Sequence, residues 1–163
     1  MTALLIARAD PGEPEALALQ AALSATLAAL TGDGGQASFK ADDVRGPRAA
    51  FALARTAAGQ AVGCGALRPL QGHVAELKRM YAQPGTRGVG AALLAHLEGE
   101  ARTLGYTALW LSTRRVNTRA LAFYARHGYV TVPPWGHYAQ RPASVCLGKT
   151  LGNPTHPNAL TMG

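Results

Sequence analysis

Three glycines, Gly85, Gly88 and Gly90, stand within six residues of one another between two apolar-patterned stretches. Glycine takes positive φ without a Cβ penalty and lets a ligand approach bare N–H groups. The helix expected behind them, opening near Val89, would offer unpaired amide donors and about half a positive elementary charge. Together these features favour a phosphate or another anion. The chain lacks the Gly-Lys-Ser/Thr ending of a Walker loop. Read as a dinucleotide fingerprint, Gly88 and Gly90 supply the first two glycines, but Leu93 stands at the sixth position. Neither of those nucleotide-binding patterns holds.

Other reactive side chains are few. His73, His96, His127, His137 and His156 lack metal-ligand spacing, so no metal is expected. Cys64 and Cys146 lie in apolar, strand-like surroundings, which predicts reduced, inert thiols. That leaves Glu76, beside Lys78 and Arg79, and Tyr124 as the residues whose chemistry needs an account.

The elements that must position them read as follows. A first strand covers 4–8, and a helix with a proline start follows, marked by Leu17, Leu23, Leu27 and Leu30 and with a break expected near Ser24. A polar loop then reaches Arg48. Strands are expected at 49–56 and 61–70, joined by a glycine hairpin, and at 74–82. The helix behind the glycine loop buries Val89, Leu93, Leu97, Ala101 and Leu104 and stops at Gly105. A strand at 106–112, apolar on both faces, looks central. A short helix at 117–127, a strand from Tyr129, a rigid Pro-Trp loop at 133–138 and a last strand at 144–151 complete the domain. Residues 1–151 are expected to form one domain and 152–163 a loose tail.

At 48% apolar and 15% charged residues the chain is globular rather than disordered. A net charge of +7 suits a polyanionic partner, yet no basic run exceeds two residues and no aromatic-basic platform accompanies it, which disfavours nucleic acid. No apolar run approaches the roughly 20 residues of a membrane span. A cytoplasmic location without membrane attachment is expected, and a homodimer is compatible.

Two separate stretches resemble the GCN5-related N-acetyltransferase (GNAT) superfamily. Arg87-Gly-Val-Gly-Ala-Ala92 is similar to its pyrophosphate loop, and Pro84-Gly-Thr-Arg87 to the turn that precedes it. The spacing to Leu93-Leu94 is shorter than usual, so a second register, with Gly85 in the Arg position, stays open. Asn117-Thr-Arg-Ala-Leu-Ala-Phe-Tyr-Ala-Arg-His-Gly-Tyr129 resembles the other motif at every fixed position. Glu76-Leu-Lys-Arg-Met-Tyr resembles the Glu-x-Lys-Arg opening of the matching strand. The resemblance covers about 49–151 well.

The resemblance implies an α/β (α+β) fold: a mixed, mostly antiparallel sheet of six to seven strands flanked by about four helices, with acetyl-CoA between two splayed central strands. It implies acetyl transfer to a primary amine of a small molecule or peptide through a ternary complex. Arg87, Gly88, Val89, Gly90, Ala91 and Ala92 would take the pyrophosphate, and the backbone of Met80, Tyr81 and Ala82 the pantetheine, with an N–H near Met80 meeting the thioester oxygen. Glu76 would act as base, directly or through water; its alternative is a strand carboxylate paired with Lys78 or Arg79. Tyr124 would protonate the leaving sulfur; its alternative is a packed helix aromatic. Asn117 and Ala120 would touch the cofactor, or Asn117 would simply cap its helix. Asp42, Asp43 and Arg45 are acceptor contacts or members of a solvated loop, and His137 and Tyr138 could reach the acceptor from the Pro-Trp loop. A non-catalytic acyl-CoA sensor or partner-binding module would keep the glycine loop and need neither Glu76 nor Tyr124.

Overall fold

Leu4–Arg8 (β1) lies antiparallel to Ala50–Thr56 (β2), with Leu4 opposite Thr56 and Arg8 opposite Ala52. The computed structural model describes residues 3–152, so the tail expected at 152–163 lies, apart from Gly152, outside the described residues. Between and after these strands run the helix Pro14–Thr31 (α1), Ala61–Gln71 (β3), Val74–Ala82 (β4) and Val89–Thr103 (α2). Ala108–Arg114 (β5), Thr118–Arg126 (α3), Val130–Thr131 (β6) and Ser144–Thr150 (β7) complete the order. The sheet has seven strands in the order β1-β2-β3-β4-β5-β7-β6. It is mixed and mostly antiparallel, as expected; β5, expected to be central, lies inside the sheet between β4 and β7, one strand off the middle.

Three α-helices, rather than about four, are present among the described residues. The break expected near Ser24 does not occur: α1 runs unbroken for 18 residues because neither glycine nor proline interrupts it between Pro14 and its left-handed cap at Gly32. The loop to Arg48 holds two short 3-10 turns, Gln36–Ser38 and Ala41–Val44, and the Pro-Trp loop a third, Gly136–Gln140. The described residues group into two compact units, one running to Arg68 and resuming at Leu77–Leu97, the other comprising Pro69–Glu76 and the chain from Glu98.

In the first unit, α1 buries Ala16, Leu19, Leu23 and Ser24, whereas Leu17 and Leu30 of the expected stripe are 55% and 46% exposed. A helix apolar around its whole circumference gives periodicity nothing to choose between. Ala16 and Leu19 pack on Phe51, Leu53 and Cys64. The helix α2 instead approaches β3 at two glycines. A Cβ at Gly63 would lie 2.5 Å from Val89, 2.8 Å from Leu93 and 2.9 Å from the Tyr81 carbonyl, and one at Gly65 2.7 Å from Leu97. The loop residues Asp42, Asp43 and Arg45 are held in ion pairs: Arg45 with Asp10 and Asp42, Asp43 with Arg68 at 2.6 Å.

In the second unit, β4 pairs in parallel with β5 through Val74–Ala108, Ala75–Leu109 and Glu76–Trp110. β5 pairs antiparallel with β7, setting Ser112 opposite Cys146. Leu109, Leu111 and Leu147 are buried on one face; alternation puts Glu76, Trp110, Ser112 and Cys146 on the other. Glu98 is buried, but its carboxylate accepts from Tyr129 Oη at 2.8 Å and from Lys149 Nζ at 3.1 Å, so the charge is paired and hydrogen-bonded. Burial first, and then the Glu98 charge, push the Tyr129 phenol well above its usual range.

Replacing Gly63 with alanine is expected to cost about 1–3 kcal/mol by overpacking. The melting temperature should fall by roughly 2–4 °C per kcal/mol for a chain of this size; an unchanged melting curve would refute the close approach of α2. A second expectation concerns alkaline pH. Burial pushes the Cys64 thiol from 9.0 up to about 12 and raises the Tyr124 and Tyr129 phenols above 10.0. Raised native pKa values contribute stability that is fully present below the unfolded values of 9.0 and 10.0 and is lost as pH rises toward the native ones. Urea midpoints should therefore hold up to about pH 8.5 and then decline steadily. A midpoint that climbs over that range would contradict the burial of these groups.

Candidate active site

The strand β4 carries reactive groups along its length. Glu76 is 3% exposed and sits opposite Trp110. Three residues on, Arg79 has φ +57°, the one positive value at a non-glycine position among the described residues. An L-residue there costs about 1–3 kcal/mol, and within a strand it turns the next peptide out of the regular ladder. Tertiary bonds hold it. Arg79 Nη2 donates to the Gln20 carbonyl at 2.8 Å and to Ser24 Oγ at 2.6 Å, and Nη1 to the Gly34 carbonyl at 3.2 Å. The Cys64 thiol donates to the Arg79 carbonyl at 3.3 Å. Arg79 is thus directed to α1 and the turn after it, and Lys78 Nζ reaches Ser38 Oγ at 3.1 Å.

Beyond Ala82 the chain leaves the sheet. Residues 84–88 are exposed. Thr86 closes the turn by donating from N–H and hydroxyl to the Gln83 carbonyl, and Gly85 and Gly88 take φ +86° and +73°. Gly90 keeps negative φ and lies inside the first helical turn, so its value there is the bare approach to its amide. The first helical bond runs from the Ala92 N–H to the Gly88 carbonyl at 3.0 Å. The amides of Val89, Gly90 and Ala91 therefore have no partner within the helix. With Arg87 exposed beside them, these donors suit a diphosphate.

On α3, Asn117 Oδ1 accepts from the Ala120 N–H at 3.2 Å. That is the capping role the sequence left open for Asn117, and it uses the Ala120 amide. Tyr124 is buried, its ring edge-on to Phe123 at 5.1 Å and to Tyr129 at 5.5 Å. Burial raises its phenol above the ordinary value, so it keeps its proton at neutral pH.

The sequence offered His137 and Tyr138 from the Pro-Trp loop, but not Trp110, Trp135, Ser112 or Cys146 around them. Trp135 packs on Trp110 at 5.6 Å and on Tyr138 at 5.4 Å, while Tyr138 also stacks on His137. Below them Cys146 sits beside Ser112; burial raises its thiol, the Trp135 backbone and Ser112 oppose the rise, and the Glu76 carboxylate adds to it. A cavity of about 380 Å³ opens next to Cys146 between Val132, Pro134, Tyr138 and Arg141. The alternation of β5 could have placed Trp110 and Ser112 on the Glu76 face. No pattern announced the left-handed Arg79. Among the described residues, no three His, Cys, Asp or Glu side chains gather to hold a metal, and no helix is long and apolar enough to cross a membrane.

Residues 19–129 match the acetyltransferase (GNAT) family. An Azospirillum brasilense protein named IAA acetyltransferase is 38% identical over 108 residues, covering 64% of this chain and 70% of its own. A solved structure from Klebsiella pneumoniae, named as a candidate acyl-CoA N-acyltransferase, superposes with a TM-score of 0.77 at 31% identity over 91% of this chain and 98% of its own. An aminoglycoside 6'-N-acetyltransferase solved with coenzyme A shares the fold, with a TM-score of 0.66 at 18% identity over 92% and 99% of the two chains. A free helix N-terminus behind an exposed glycine loop, on this sheet and with these relatives, makes the chain a member of the acetyltransferase (GNAT) family, an acyltransferase that uses acetyl-CoA.

Proposed function

We propose that this enzyme moves the acetyl group of acetyl-CoA directly to a primary amine of a small molecule or peptide. The observation that carries the reading is the set of unpartnered amides at Val89, Gly90 and Ala91, reached by a strand that also bears the buried Glu76. The diphosphate of the donor takes those amides together with Gly88 and Arg87, while Ala92, whose N–H already bonds the Gly88 carbonyl, lines the turn beside it; the pantetheine runs along Met80, Tyr81 and Ala82 like an added strand.

The acceptor amine, with an ordinary pKa near 10.4, must lose a proton before it attacks. Glu76 takes that proton, directly or through a water. The nitrogen then adds to the thioester carbon, and the Met80 N–H stabilises the resulting oxyanion. Collapse breaks the C–S bond; the Tyr124 phenol gives its proton to the departing sulfur, and the nitrogen sheds its second proton to restore the phenol through water, leaving a neutral amide. The Trp110–Trp135–Tyr138 cluster and the cavity beside Cys146 lie on the Glu76 face, which is where the acceptor body docks. Two free thiols and the need for acetyl-CoA fit a cytoplasmic setting.

Glu76→Gln should lower kcat by about 10²-fold and flatten the acidic limb of its pH profile while acetyl-CoA still binds. Unchanged kinetics would remove Glu76 as the base. Tyr124→Phe should slow turnover by a similar factor with little change in acetyl-CoA affinity. Because burial raises the Tyr124 phenol, wild-type kcat should show no loss of acid catalysis below pH 10.0; a decline centred near pH 8 that vanishes in Tyr124→Phe would contradict that protonation state.

A further inference from the structure

We propose that Arg79 is a positioning residue for acyl transfer: its guanidinium, clamped to Gln20, Ser24 and Gly34, holds its own backbone in the left-handed conformation that aims the Met80 N–H at the thioester oxygen. The inference rests on the role proposed above for the Met80 amide and adds what sets that amide's direction.

The geometry follows from the planarity of one peptide. The Arg79 carbonyl and the Met80 N–H belong to the same rigid unit and point in opposite directions. Cys64 Sγ fixes the carbonyl at 3.3 Å, so it also fixes the N–H. The Cys64 thiol keeps its proton, and hence its donor capacity, because burial pushes it up to about 12. The strained φ of +57° at residue 79 is what swings this peptide out of the regular strand, and nothing in the side chain's intrinsic preference favours it. The compensating bonds come from far along the chain: two from α1 and one from the turn behind it, with the Phe39 ring 6.0 Å from the guanidinium carbon.

Three acceptors at these places need a planar fork; the single ammonium of a lysine could not serve them together. Arg79 Nε is buried without a hydrogen bond, and burial lowers the guanidinium's pKa from its usual value. A residue serving only to fill space would not accept those costs. Glycine at the same position would adopt φ +57° freely, but no anchor would select it over other conformations.

Isotope-edited infrared spectra of bound [1-¹³C]acetyl-CoA test this without any acceptor. In the wild type, the hydrogen bond from Met80 should lower the thioester carbonyl stretch relative to free acetyl-CoA. In R79G at saturating ligand, at least half of that shift should be lost, while calorimetric affinity for acetyl-CoA stays within about threefold because the glycine loop is untouched. Turnover per folded molecule should drop about 10²-fold, the scale of losing one oxyanion donor. R79K and S24A should show the same change in smaller measure, and they carry the test if circular dichroism shows R79G unfolded. A full wild-type shift in a saturated, folded R79G, or in both R79K and S24A, overturns the role of Arg79 alone. Absence of any shift in the wild type with acetyl-CoA bound overturns the Met80 reading beneath it.

Discussion

How closely α2 can approach β3 is the constraint on which the position of the helix start, with its free amides, depends. Gly63 leaves room for Val89 and Leu93, and Gly65 for Leu97 and Met80. Val89 is also the first residue of the helix. A side chain on β3 would therefore move the helix start itself, and with it the amides that precede the first helical bond. The glycines of the loop and the glycines of the strand answer different demands. Gly85 and Gly88 supply positive φ in open surroundings, whereas Gly63 and Gly65 supply absent volume under a packed helix.

The loop was legible in the sequence because left-handed turns and bare amides both call for glycine, a residue that marks its own position. The motif around Asn117 and Tyr124 was legible through its resemblance to the GNAT pattern, and the cap at Asn117 and the packed ring of Tyr124 were alternatives already open there. The buried face of α1 was not. With alanine and leucine all round, only tertiary packing decides that Leu19 is covered and Leu17 is not. The acidic and basic residues at Asp42, Asp43 and Arg45 read as acceptor contacts or as solvated surface. They turn out to tie their loop to Asp10 and Arg68, partners too distant in sequence for any local pattern to suggest.

Arg79 is the sharpest case of the same limit. Its neighbours predict an ordinary strand residue, and its conformation comes from acceptors 45 to 59 positions earlier in the chain. Strain of this kind persists only where surrounding structure over-determines it. Here a guanidinium fork grips one side of the residue and a thiol the other. The reduced, inert cysteine expected from apolar surroundings is present at Cys64, but it also serves as a donor to the strained peptide.

The acid role proposed for Tyr124 turns on matched acidity. A proton moves readily from acid to base when their pKa values are close, and burial shifts this phenol upward, away from a thiol near 8.5 in water. If the thiolate leaves beside that ring, as proposed, the same packing shields it from water. Desolvation disfavours any anion, so it raises the thiol's pKa as it raises the phenol's. The difference between the two, which sets the cost of transfer, is thus less affected than either value alone. What the burial adds is a donor that stays protonated across the neutral range, fixed edge-on between Phe123 and Tyr129 instead of turning freely in water.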